Sequence, residues 1–179
     1  DNGQCINCHH YKNWETDQMM FHARQYLGGT VIINNGDMKR INLKTDSTIS
    51  AGVYPAWHPT HNYIAFSTNK TRQSVHTNNN NRIEVFDTES DLILYNIDKN
   101  SVSIVENDTA EFECFPAWTP DGKTLYYVSA HFDYGFGSDR EEYIVKNHKS
   151  IHYNLYKKSF NPETAAWGKP ELVYDAASE

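Results

Sequence analysis

Residues 54–67, YPAWHPTHNYIAFS, align without a gap on residues 115–128, FPAWTPDGKTLYYV, at an offset of 61 residues. A chain that repeats itself at such a distance builds one supersecondary unit more than once, and each unit buries its apolar face against the next. Both copies have the same grammar: an aromatic residue and a proline, a tryptophan (Trp57, Trp118), a tight turn, then an alternating run of strand character. In the later copy the turn is Pro120-Asp121-Gly122, where proline fixes one φ and glycine accepts a positive one. The earlier copy has Pro59-Thr60-His61-Asn62 there, and Asn62 is expected to take the left-handed conformation.

Between and around the copies lie further short strands. Residues 31–33 and 41–43 flank Asn34-Asn35-Gly36-Asp37, a hairpin signal. Residues 82–86 and 92–97 are separate runs, and 101–105 follow the turn Asp98-Lys99-Asn100. Residues 154–160 and 172–174 flank Asn161-Pro162. With 12 Tyr, 8 Phe and 4 Trp, the composition favours strands over helices, so the expected fold is all-β. Three units are expected, at 1–50, 51–110 and 111–179, with several short strands in each, as in the blades of a β-propeller.

The net charge of −7 argues against nucleic acid as a partner, since a phosphate-binding surface needs clustered Lys and Arg, and such clusters are absent from the sequence. No apolar run is long enough to span a membrane as a helix. No Gly-x-Ser-x-Gly elbow supports a hydrolase, and Gly28-Gly29-Thr30 is too short for a phosphate loop.

Specific chemistry enters at Cys5-Ile6-Asn7-Cys8-His9. Two thiols three positions apart can add to the vinyl groups of a haem, and the next residue then offers its imidazole to the iron. A zinc site would want a second Cys/His pair, whereas Cys114 stands alone and reads as a small packed hydrophobe. A thioredoxin-like pair would want a βαβ setting, which the surrounding pattern lacks. Haem c attachment is therefore the expected chemistry, with Cys5 and Cys8 as thioether donors and His9 as proximal ligand. Laying residues 8–23 on the repeat, with one residue inserted, matches Met19-Met20-Phe21-His22 to Ile64-Ala65-Phe66-Ser67. His22 is then the leading sixth ligand, with Met19 or Met20 as alternatives, and Arg24 is a candidate partner for a haem propionate. Asp87, Glu89 and Asp91 read as a solvated acidic turn rather than a calcium loop, because the spacing and the lack of a glycine do not fit an EF-hand. Residues 131–143 read as an aromatic loop or inter-blade plug, and Asn78–Asn81 as an exposed loop.

The two YPAWHP and FPAWTPDG segments resemble TolB-type β-propeller repeats, which share an aromatic-Pro-x-Trp-Ser-Pro-Asp-Gly signature. With CINCHHY, MMFHARQYLGGT and RIEVFDTESDLILYNI, nearly the whole chain resembles a group of exported Bacteroidetes proteins in which such a propeller carries a CxxCH haem motif. The resemblance implies an exported protein, periplasmic or at the cell surface and compatible with outer-membrane anchoring. It also implies one covalent haem, and electron transfer to a redox partner or another protein. An alternative is a protein- or glycan-binding propeller whose haem site is structural or vestigial. It further implies that about three blades, fewer than a closed propeller needs, are completed by the remainder of the propeller or by another chain.

Overall fold

The computed structural model describes residues 5–24, 28–75, 83–133 and 139–178, and apart from one short α-helix and 3-10 turns its regular structure is β. Three antiparallel meanders follow one another. The first is β1 (Cys5–Tyr11), β2 (Gln18–Arg24), β3 (Gly29–Asn34) and β4 (Asp37–Ile41), paired in that order. The second is β5 (Gly52–Trp57), β6 (Tyr63–Val75), β7 (Ile83–Asn96) and β8 (Ser101–Glu106). The third is β9 (Glu111–Trp118), β10 (Thr124–His131) and β11 (Asn154–Asn161), with β12 (Ala166–Trp167) and β13 (Glu171–Tyr174) both on β11. A parallel bridge from Ser90 to Phe112 joins the second meander to the third, and none of the described sheets closes on itself.

The register is the same in all three units. Tyr11 lies opposite Met19, Trp57 opposite Ile64, and Trp118 opposite Leu125. This agrees with the one-residue insertion expected for the first copy. Apolar faces pack between successive units, as the repeat requires. Met20, Ile32, Trp57, Phe66 and Ile93 fill the space between the first and second, and Leu92, Leu94, Leu125, Tyr127 and Phe160 that between the second and third.

Several local expectations are corrected. The β3–β4 hairpin turns on Asn35 and Gly36, both at positive φ (54° and 84°), so its second strand is Asp37–Ile41 rather than 41–43. Leu43 instead leaves the sheet and is buried. Residues 82–86 and 92–97 are not separate strands, because Ile83–Asn96 is one strand. Asp87, Glu89 and Asp91 therefore lie in a ladder, not a turn, and polar neighbours on β6 make this possible: Asn69 and Thr71 donate to Asp87 at 2.7 and 2.6 Å, and Lys70 pairs with Glu89 at 2.9 Å. Asn62 is not left-handed. Its turn is organised by His58, whose Nδ1 accepts from Thr60 N–H and His61 N–H at 3.2 and 3.1 Å. Residues 140–147 form a helix, α1 (Arg140–Asn147), capped by Asp139. Phe132 is buried against Phe112 and Ile144, which favours the plug reading, while residues 134–138 of that segment and Asn78–Asn81 lie outside the described residues.

Buried ionisable groups at the interfaces give the fold a pH signature. His58 donates from Nε2 to Gly122 O at 2.8 Å while Nδ1 accepts, so it is neutral, and burial lowers its pKa to about 4. Glu113 is 3% exposed, one of its oxygens has no partner, and burial raises its pKa to about 8. Unfolded His58 binds a proton below its ordinary 6.5 that the folded chain refuses, so its contribution is lost as pH falls from 6.5 towards 4. Folded Glu113 keeps a proton that the unfolded chain releases above 4.5, so its contribution fades as pH rises through 8. Thermal melts are expected to show stability falling between pH 6.5 and 8, and Glu113→Gln should flatten that fall. An equally steep fall in the variant would assign it to other groups.

Candidate functional site

The first strands of the three units, β1, β5 and β9, run side by side, and each is broken by a bulge at the same place. The bulged pairs are Cys8-His9, Tyr54-Pro55 and Phe115-Pro116. The leading residue of each pair is left-handed, with φ of 51°, 48° and 55°. A non-glycine residue held there costs on the order of 1–3 kcal/mol, so three such residues mark a feature that the surrounding sheets enforce. The CxxCH motif thus occupies the first unit's version of the aromatic-proline entry.

Strand pairing gathers several of the expected residues. Cys5 lies opposite Arg24 and Asn7 opposite His22, so all four share one face of the β1–β2 hairpin. With the Asn7 amide turned so that its oxygen faces the guanidinium, it accepts from Arg24 Nη2 at 2.8 Å and Nε at 3.0 Å. His22 is half-buried, its Nδ1 lies 3.2 Å from Thr30 Oγ1, and burial followed by the Arg24 charge lowers its pKa. It takes the position of Ser67, whose hydroxyl accepts from Phe115 N–H at 3.1 Å. Met20 points to the same side but is wholly buried in the core, whereas Met19 belongs to the opposite face and is half-buried.

Cys5 is exposed, Cys8 half-buried, and both thiols are free. His9 is exposed, and among the described residues its ring makes no hydrogen bond. The donors that a c-type haem requires are thus uncommitted, and the residues present fit that group. His10 is committed elsewhere: its Nδ1 accepts from Trp57 N–H at 3.4 Å, and burial, then His9, lowers its pKa. Cys114 is buried, with its thiol pushed up to about 12 by burial, then by Asp87 and Glu113, as suits an inert packed residue.

Below the bulges opens a cleft of about 670 Å³, within the range of small-molecule sites. His9 and His10, Pro55 and Trp57, and Pro116 and Trp118 supply its walls, and neither thiol lines it. Trp14 also lines it and is 91% exposed, at a φ of 66°. Sequence reasoning passed over Trp14, and also the exposed Tyr54 and Phe115. The signal for the last two was their alignment with Cys8. No cluster of three or more His, Cys, Asp or Glu side chains suited to a metal ion occurs among the described residues, and Asp87 and Glu89 are taken up by side chains of β6.

No family model matches the chain, and no curated protein matches it.

Proposed function

We propose that the chain is part of an exported c-type haem protein of TolB-like propeller architecture, with electron transfer as its role. Cys5 and Cys8 would attach one haem through thioether bonds, and His9 would ligate the iron. The observation that carries this reading is the substitution of Cys8-His9 for aromatic-proline at a bulge that the other two units share, which turns both residues out of the ladder. A bound haem would supply a one-electron couple. Among the candidates for the sixth position, His22 is supported over Met20, which is wholly buried among core side chains, and over Met19, which faces away from His22. Arg24, held by Asn7 beside Cys5, would meet a propionate.

The three meanders with their first strands adjacent are the arrangement of successive propeller blades, and the open sheets would be completed by the remainder of the propeller or by another chain. The attachment chemistry belongs to the outer side of the bacterial cytoplasmic membrane, so the protein would act in the periplasm or at the cell surface.

The test is a reductive titration of the protein purified with its haem. Reversible conversion between oxidised and reduced visible spectra is expected, and failure to reduce would remove the electron-transfer role. His22→Ala is expected to keep the haem mass while changing a low-spin six-coordinate spectrum to a high-spin one. An unchanged low-spin spectrum would overturn the assignment of His22.

The exposed Trp14 on the 670 Å³ cleft favours a second reading, a propeller that binds a protein or glycan there and keeps haem only as a structural group. Covalent haem with reversible redox behaviour separates the two.

A further inference from the structure

Two of the three left-handed bulge residues carry aromatic side chains for which no hydrogen bond occurs among the described residues. Tyr54 and Phe115 lie against each other with ring centroids 4.4 Å apart and planes at 51°, yet they remain 41% and 52% exposed. Each adopts a left-handed φ that a non-glycine residue resists, so the fold spends backbone strain to hold two aromatic rings where they bury little. Strain of this kind, paired with an exposed apolar surface, is typical of a place where something else binds.

The surroundings indicate what. Cys8 leaves the neighbouring first strand at the equivalent bulge. Burial raises the Tyr54 pKa first, then Asp87, Cys8 and Cys114, while Arg24 acts in the opposite sense. Strand β1 packs beside β5, so Cys8 and Tyr54 leave adjacent strands at equivalent bulges, and Arg24 lies opposite Cys5 on the β1–β2 hairpin. A flat apolar ring system with carboxylates on its edge is suited by an apolar surface for its face, a cation for its edge and, for covalent attachment, thiols. The aromatic pair and Cys8 stand at equivalent bulges of neighbouring strands, and Arg24 lies opposite Cys5 on the first of them.

We propose that the Tyr54–Phe115 pair is the platform on which the haem attached at Cys5 and Cys8 packs its porphyrin plane. This rests on the c-type haem reading above. The role is positional: the pair excludes water from one face of the ring and fixes its orientation relative to β1, β5 and β9. The third unit thus contributes to a cofactor bound covalently by the first. The tilted geometry of the pair leaves ring surface of both residues open to a further planar group.

The experiment uses the full chain produced with a haem-attachment system, as wild type and as Tyr54→Leu/Phe115→Leu, Phe115→Leu alone, and Tyr54→Phe. Covalent loading is read from the intact mass, and the asymmetry of the haem surroundings from circular dichroism in the Soret region. The double variant is expected to carry the same haem mass with its Soret dichroism reduced at least twofold. Phe115→Leu should show a smaller loss, and Tyr54→Phe should retain the wild-type band. Far-ultraviolet dichroism confirms that each variant is folded, and Phe115→Leu, which alters an exposed side chain, serves if the double variant does not fold. Haem mass retained with unchanged Soret dichroism in the double variant, or in Phe115→Leu where that variant serves instead, overturns the platform and leaves the haem reading standing. A wild-type chain without haem mass overturns both.

Discussion

Gly122→Ala is expected to lower the melting temperature by on the order of 10 °C. A Cβ at this position would stand 2.2 Å from His58 Cε1 and 2.4 Å from Nε2, far inside contact distance, and φ there is +69°. His58 cannot yield, because it is fully buried, donates from Nε2 to Gly122 O, accepts two backbone N–H groups at Nδ1, and lies edge-on to Trp118 at 4.7 Å. The left-handed conformation costs a non-glycine residue about 1–2 kcal/mol, and overpacking adds about 1–3 kcal/mol. Together these amount to about 2–5 kcal/mol, at about 2–4 °C per kcal/mol for a chain of this size. Because the clash is with one ring, His58→Ala should make Gly122→Ala much less costly than it is in the parent. A double-mutant cycle by thermal melting measures this, and additive effects would show that the two residues do not act on each other.

The second large effect is chemical. Cys5→Ser with Cys8→Ser is expected to abolish covalent haem, removing both the added mass and the visible absorption that survives denaturation. Cys5 is exposed and Cys8 is half-buried, so serine at either place removes little packing and the fold should persist. Each single variant should retain attachment through one thioether, with the α band displaced relative to wild type. Cys114→Ser should leave haem content unchanged, since that thiol is buried and far in sequence from the motif. Haem content unaffected by the double substitution would rule out thioether attachment at this motif.

Much of this architecture could be read in the sequence, and the exceptions have physical causes. The gap-free copies at 54 and 115 give the register of the second and third units, and the one-residue insertion between Cys8 and Met19 gives that of the first. Strand β7 was hidden by its own polarity. A run containing Asp87, Glu89, Ser90 and Asp91 looks like a turn until Asn69, Lys70 and Thr71 on β6 are known to face it, and that pairing is a tertiary fact. Helix α1 is short and buries Ile144 alone among its residues, so its periodicity carried little signal. The expectation that Asn62 would be left-handed failed because a buried histidine side chain, rather than backbone conformation, organises that turn.

The candidate site was legible in its chemistry and not in its geometry. The donor types at Cys5, Cys8 and His9 follow from spacing, and cross-strand pairing brings Cys5, His22 and Arg24 to one face. Nothing in the residue types announces that Cys8, Tyr54 and Phe115 share a left-handed bulge, since none of them favours that conformation. Nor does spacing foretell that His9 lines a cleft from which both thiols are absent.

The most direct measurement is an intact mass, followed by peptide mapping and a visible spectrum, on the chain made where haem attachment to thiols takes place. The expected result is the added mass of one haem, located on the peptide that holds Cys5 and Cys8, together with a Soret band and α and β bands that sharpen on reduction. A bare polypeptide mass with no visible absorption would contradict the haem assignment, and the cleft beside Trp14 would then be the place to seek a binding partner.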